Sequence, residues 1–127
     1  MVKVEKINVD ELDAGDWVED HGDRKVSVEP SLEEIEKAMG EGNLEMREFQ
    51  KDCKEITAEW NMEAGNSFEE YCRLRTQYHA RRIAYFVVHG WNDPIVLHDN
   101  KHGIKDGLHR LKAAKRKGIK TICFRVD

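Results

Sequence analysis

The apolar residues near the C-terminal end of the chain predict the order strand, turn, strand, helix, strand. Ile95–Leu97 form a short apolar run behind a proline, which is typical of the start of a strand. From Thr121 to Val126 apolar residues occupy every second position, the period of a strand. Between these strands, Gly118 stands where a glycine commonly ends a helix. Three apolar residues keep helical spacing before it: Leu108, Leu111 and Ala114.

The N-terminal part of the chain predicts an opening strand and a hairpin. Apolar residues at positions 2, 4, 7 and 9 predict a strand over residues 2–9. Two further short strands, 17–19 and 25–28, flank the polar turn 20–23, as in a β-hairpin.

A capped helix is predicted to follow the hairpin. Ser31 and Glu34 have the spacing of a capping box directly after Pro30. The helix would end at Gly40 and Gly42. Its buried stripe is predicted to consist of three apolar residues: Leu32, Ile35 and Met39.

Residues 44–89 predict a helical hairpin. Helical spacing of apolar residues extends over 44–64 and ends at Gly65. Ser67 with Glu70 repeats the capping-box pattern and predicts another helix that ends at His89, before Gly90. This hairpin could cover a ligand pocket, form a dimer face or contact a protein partner, and ordinary core packing explains its apolar stripes equally well.

Length and composition predict one cytoplasmic domain over residues 1–127. A chain of 127 residues with a net charge of −4 is long enough for a single hydrophobic core. The longest apolar run, 83–88, is too short to cross a bilayer, and the first residues lack the apolar segment of a signal peptide. Three widely spaced cysteines predict reduced thiols. Four histidines in the C-terminal third lack the spacing of zinc ligands, so no metal site built from these histidines is predicted.

Charge is concentrated at the C-terminal end. Residues 101–127 contain nine Lys or Arg and two Asp, a balance of +7, so the other 100 residues together carry −11. Such a basic segment suits phosphates, whether of a nucleotide or of a nucleic acid. A solvated helix face also explains Lys112, Lys115 and Arg116.

The junction between the second of these C-terminal strands and the following helix carries the candidate chemistry. Gly107 permits a sharp turn and a close approach to a ligand, and the first helical turn offers N–H groups and the positive end of the helix dipole to an anion. Arg110 could add a bidentate donor, and His109 a hydrogen bond. Asp106 could hold hydrated magnesium or accept a proton. The alternative is purely structural: an N-cap, a turn glycine and a surface ion pair.

The segment 93–126 resembles the ParB/sulfiredoxin superfamily. Its members carry a proline–isoleucine strand, a junction of the form Ile-x-Asp-Gly-x-His-Arg and a closing strand. Pro94-Ile95 and Ile104 to Arg110 match in order and spacing. The resemblance implies an α+β fold, with a small mixed sheet, a strand–Gly–helix phosphate-binding junction and an inserted helical hairpin at about 44–89.

The resemblance also implies site residues and a ligand. Gly107, Leu108, His109 and Arg110 would bind phosphate, and Asp106 and His109 would be catalytic. The ligand would be a nucleoside di- or triphosphate with Mg²⁺, and the reaction a phosphate hydrolysis or transfer. Sulfiredoxin activity is disfavoured, because Leu108 stands where sulfiredoxins have their catalytic cysteine.

Two other functions remain open at this point. One is a nuclease or a nucleic-acid-associated accessory protein of a phage or mobile element, which would use the basic C-terminal segment. The other is a non-enzymatic module that binds a protein through the helical hairpin. Glu19, Asp20 and Glu34 are further candidates for a general base or a magnesium ligand.

Overall fold

The computed structural model describes residues 3–13, 17–21, 24–46, 68–99 and 103–126. Within these ranges the protein is a small α+β protein with three α-helices, a mixed four-stranded sheet and a two-stranded sheet. Two compact units are formed, one by Met1–Asp16 with Tyr85–Asp127 and the other by Trp17–Ala84. In the described part of the chain, no helix is long and apolar enough to cross a membrane. The single domain over 1–127 stays a prediction.

The first unit contains the four-stranded sheet, with strand order β1-β6-β4-β5. Its strands are β1 (Glu5–Asn8), β4 (Ile95–Leu97), β5 (Ile104–Asp106) and β6 (Thr121–Val126). β6 is antiparallel to β1 and parallel to β4, whereas β5 is antiparallel to β4. The predicted C-terminal order of strand, turn, strand, helix and strand is therefore confirmed.

The helix of this unit, α3 (Leu108–Lys117), packs onto one face of the sheet. Gly118 ends α3 in the left-handed conformation at φ +73°, as its position in the sequence predicted. Strand residues that point to the same face share the core with α3, which explains the period of two in β6. The buried core of the unit consists of Val9, Leu12, Ile95, Leu97, Leu111, Ala114, Ile122 and Phe124.

The opening strand is shorter than predicted. β1 ends at Asn8, and a 3₁₀ turn occupies Val9–Glu11 instead of a continued strand. The side chain of Asn8 explains this end, because its Oδ1 accepts a hydrogen bond from the Asp10 N–H at 2.9 Å and so favours a turn. Val9 remains buried, but as part of the turn.

The second unit contains the predicted capped helix and the predicted hairpin, but Asp20 and His21, which were predicted in the turn, belong to the first strand of the hairpin. β2 (Val18–His21) pairs antiparallel with β3 (Arg24–Ser27). α1 (Leu32–Glu41) begins with the full capping box, in which Ser31 accepts from the Glu34 N–H and Glu34 accepts from the Ser31 N–H.

The predicted buried stripe of α1 is partly wrong. Ile35 is completely buried, but Leu32 is 57% exposed and Met39 is half-buried. Ala38 is buried in their place. Leu32 lies in the first turn, at the edge of the contact, so its apolar character did not indicate burial.

The long helix α2 (Phe68–His89) has the end that the sequence predicted, with Gly90 at φ +72° directly after it. Its residues contribute to both units, since the boundary falls between Ala84 and Tyr85. Within the second unit, Phe68 and Cys72 form a small buried cluster with Val28. The other predicted helix, 44–64, is wrong at its start because residues 44–46 are not helical, and 47–64 lie outside the described residues.

Candidate functional site

The predicted site residues lie together where β5 meets α3. Asp106 is the last residue of β5, and Gly107 is the N-cap of α3. Leu108, His109 and Arg110 form the first turn of the helix. The first intrahelical bond runs from the Leu111 N–H to the Gly107 carbonyl at 2.9 Å. The amides of residues 108–110 consequently have no acceptor within their own helix.

Both the backbone conformation at position 107 and the neighbouring side chains require a glycine there. Its φ of +122° lies in a region that other residues rarely adopt. A Cβ at this position would be 2.5 Å from Ile95 Cγ2 and 3.3 Å from Arg110 Nη2. The glycine therefore allows α3 to start directly against β4, with the arginine side chain beside it.

Arg110 is buried and bonded to the protein itself. It is 9% exposed, and its Nη1 donates to the carbonyl oxygens of Asp93 at 3.0 Å and Pro94 at 3.1 Å. Its Nη2 donates to Asp106 Oδ2 at 3.4 Å. The side chain reaches these acceptors because helical side chains lean toward the N-terminus of their helix. Arg110 thus fixes the segment before β4 to the start of α3.

The sequence could not identify this structural task of Arg110. Its two strongest acceptors are backbone carbonyls, and every residue has one, so no residue type marks them. The only relevant signal was Pro94, which predicted the start of the strand.

The start of α3 lacks the usual stabilising features of a helix N-terminus. Gly107 provides no side-chain cap, and the first turn contains no acidic residue. By contrast, α1 has a capping box and two acidic residues in its first turn, Glu33 and Glu34. Gly107, Leu108 and His109 are each partly exposed, so solvent reaches this corner of the first unit.

Asp106 is the most accessible charged group at the junction. Its side chain is 61% exposed, and the contact with Arg110 Nη2 is long for a hydrogen bond between charged groups. A carboxylate in this position can bind hydrated metal ions or accept a proton from water. His109, in the first turn of α3, is partly exposed.

The other acidic candidates belong to the second unit and are engaged there. Glu19 Oε1 accepts from Arg75 Nε at 2.9 Å, and Glu34 is part of the capping box. Burial raises the pKa of Tyr71, and the negative charge of Glu19, which accepts the hydrogen bond of the phenol, raises it further. These contacts give Glu19 a structural role in its own unit. The side chain of Asp20 lies outside the described residues.

No metal centre is found among the residues that the structure describes, since nowhere in those ranges do three His, Cys, Asp or Glu side chains come together. His98 packs against Gly103 across the β4–β5 turn, where an added Cβ would be 3.2 Å from its ring. His102 lies outside the described residues.

Comparison with known proteins gives no match: no protein-family model, curated protein or solved structure is similar to this chain.

Proposed function

We propose that the chain is a ParB/sulfiredoxin-like domain that binds the phosphates of a nucleotide at the β5–α3 junction. The observation that carries this proposal is a helix start with neither a cap nor an acidic residue, next to the buried guanidinium of Arg110. The order of strand, glycine and helix supports it as well.

The electrostatics of the junction favour an anion. The N-terminus of a helix carries a partial positive charge, so an arginine in the first turn is unfavourable there. Arg110 adds a full positive charge, and its two Nη1 acceptors are neutral carbonyls. Within the described residues its ion pair is with the exposed Asp106 carboxylate, and at 3.4 Å this pair offsets the charge only in part. A bound phosphate would offset both the guanidinium and the dipole.

Each residue has a distinct role in this proposal. The amides of Leu108 and His109 donate to phosphate oxygens, and Gly107 allows the sharp turn that places them at the start of the helix. Arg110 supplies positive charge from its buried position, and His109 adds a hydrogen bond. Asp106 would hold the hydrated Mg²⁺ that accompanies a nucleoside di- or triphosphate.

Hydrolysis or transfer of a phosphate would depend mainly on positioning and charge neutralisation. These reactions need little covalent participation from the protein. The residues at the junction suit that task, with His109 and Asp106 as the groups able to move a proton. A thiol-dependent reaction does not fit, because Leu108 stands where sulfiredoxins have their catalytic cysteine.

The proposal is tested by placing a negative charge in the first turn. We expect Leu108→Asp to bind nucleotide at least tenfold more weakly than Leu108→Asn, because the two variants differ by one charge at the helix start. Isothermal titration calorimetry with CTP, ATP, ADP and GTP, each with Mg²⁺, measures the difference. An aspartate in the first turn stabilises a helix by about 0.3–1 kcal/mol, so weaker binding would not reflect unfolding.

Leu108→Asn is the matched control, since it loses the same apolar side chain. Equal affinities of the two variants for every nucleotide, or no binding of any of the four by the unmodified protein, would contradict the proposal. Arg110→Ala is not diagnostic: it leaves the Asp93 and Pro94 carbonyls without their donor and destabilises the fold.

A second candidate function is association with nucleic acid. Within residues 103–126, eight side chains are basic and only Asp106 is acidic. Lys115, Lys117 and Lys120 are all exposed around the C-terminal end of α3. Exposed lysines of this kind bind the phosphate backbone without regard to sequence.

A further inference from the structure

A small cavity lies between α1 and α2 in the second unit. Its volume is about 130 Å³, equivalent to about four water molecules at ~30 Å³ each. Two buried alanines, Ala38 of α1 and Ala80 of α2, line it, and their small side chains leave the space open. The polar residues around it are Glu34, Lys37, Glu41, Asn43, Gln77 and Arg81.

The guanidinium of Arg81 is held in a fixed orientation at this cavity. In the amide orientation that satisfies both groups, the Asn43 oxygen accepts from Arg81 Nε at 3.0 Å and from Nη2 at 3.1 Å. The backbone carbonyl of Arg81 also accepts from the Glu45 N–H at 3.1 Å. Both contacts connect α2 to the segment that follows α1.

This arrangement leaves one edge of the guanidinium for a ligand. Asn43 uses the edge formed by Nε and Nη2, whereas the Nη1–Nη2 edge can bind two oxygens side by side. No partner for that second edge is found in the described part of the chain. Because Asn43 already orients the side chain, little entropy is lost when a ligand binds.

The two acidic residues at the cavity have partners of their own. Glu34 Oε1 accepts from the Ser31 N–H at 3.0 Å, and Glu41 pairs with Lys37 at 4.0 Å. The N–H of Ser31 is neutral, so Glu34 keeps its negative charge, whereas Glu41 and Lys37 offset each other. Arg81 supplies the positive charge that can meet a ligand at its Nη1–Nη2 edge. The neighbouring carboxylates disfavour an anion with two charges, such as the hydrogen phosphate ion, more than an anion with one.

We propose that this cavity binds a small monocarboxylate, whose two oxygens accept hydrogen bonds from the Nη1–Nη2 edge of Arg81. The planar guanidinium matches a carboxylate in geometry, and the volume accommodates a molecule of the size of acetate. Ala38 and Ala80 contact its apolar end, and Gln77 lies close enough to the cavity to donate from its amide. This site is independent of the β5–α3 junction.

An NMR titration of the full chain with sodium acetate, at ionic strength held constant with sodium chloride, tests the proposal. We expect saturable shifts at Ala38, Ala80, the Asn43 amide and Arg81 Nε, with smaller shifts from inorganic phosphate. Arg81→Lys keeps the charge but lacks the planar edge, so it should weaken acetate binding at least tenfold. Arg73→Lys is the control, because Arg73 is on the same helix but pairs with Glu70 outside the cavity.

Gln77→Glu provides a second test that leaves the contact between Arg81 and Asn43 in place. The added negative charge should again weaken acetate binding at least tenfold. The proposal is overturned if acetate causes no saturable shifts beyond those of chloride. It is also overturned if Gln77→Glu binds acetate as well as the unmodified protein does.

Discussion

Gly107 lies against Ile95 and Arg110, and Arg110 is bonded to the segment directly before Ile95, so both residues have a structural reason to be where they are. An added Cβ at Gly107 would overlap Ile95, and Arg110 is bonded to two carbonyls next to that strand. The sequence predicted a sharp turn at Gly107 from the residue type alone. It did not predict the overlap with Ile95, because that contact depends on the pairing of β4 with β5.

This packing predicts a large effect of a methyl group at Gly107. We expect Gly107→Ala to lower the free energy of unfolding by roughly 3 kcal/mol or more, from an unfavourable φ and from overpacking against Ile95. Urea unfolding followed by circular dichroism measures the change.

Gly40→Ala is the matched control for this substitution. Gly40 lies inside α1, and an added Cβ there would meet no atom within 4 Å. We expect a gain of about 0.5–1 kcal/mol, because alanine restricts the unfolded chain and favours the helix. If both variants changed stability by the same amount, the close approach of Gly107 to Ile95 would be wrong.

Helix α1 begins with a capping box, whereas α3 begins at a glycine without a side-chain cap. The sequence could predict the first of these starts more completely than the second. The capping box of α1 was predicted because Ser31 and Glu34 interact across three residues of the same chain segment. The burial of Leu32 was predicted wrongly, because the apolar stripe of a helix does not by itself show where its partner ends. Residue types predicted that α3 starts at Gly107 with Arg110 in its first turn, but not the two backbone carbonyls that Arg110 binds.

The capping box of α1 predicts a measurable contribution to the stability of the fold. Ser31→Ala should lower the free energy of unfolding by about 1 kcal/mol, since it removes the acceptor for the Glu34 N–H. Thermal unfolding measures this loss.

Ser27→Ala is a suitable comparison for the cap. Its hydroxyl also accepts a backbone N–H, from Glu29 at 3.3 Å, but it does not begin a helix. We expect this variant to change stability by less than about 0.5 kcal/mol. A loss as large as that of Ser31→Ala would mean that the cap makes no special contribution.

Over the whole molecule, the distribution of charge was readable from the sequence but the strand order was not. The excess of basic residues in the C-terminal segment follows directly from composition. The pairing of β1 with β6 joins distant parts of the chain, and no local pattern specifies it. The sheet order β1-β6-β4-β5 therefore required the structure.

The basic segment predicts a salt-dependent interaction with nucleic acid. We expect the triple variant Lys115→Gln, Lys117→Gln, Lys120→Gln to reduce the slope of log K against log salt by up to about 3, because each phosphate contact contributes about 0.9 for duplex DNA. Fluorescence anisotropy with a labelled duplex at several salt concentrations measures the slope.

A triple variant with the same net charge serves as its control. Lys3, Lys25 and Lys37 are exposed and lie outside the C-terminal segment, so their replacement by glutamine should leave the slope nearly unchanged. Equal slopes for the two triple variants would show that net charge, and not this segment, determines the interaction.

The pairing of β1 with β6 has a consequence for synthesis on the ribosome. Glu5 faces Phe124, so β1 is translated long before the strand that pairs with it. The residues of the second unit, Trp17–Ala84, are translated in the interval and can form their own contacts earlier. Until translation reaches β6, the backbone N–H and C=O groups along the pairing edge of β1 lack the strand that binds them in the finished sheet.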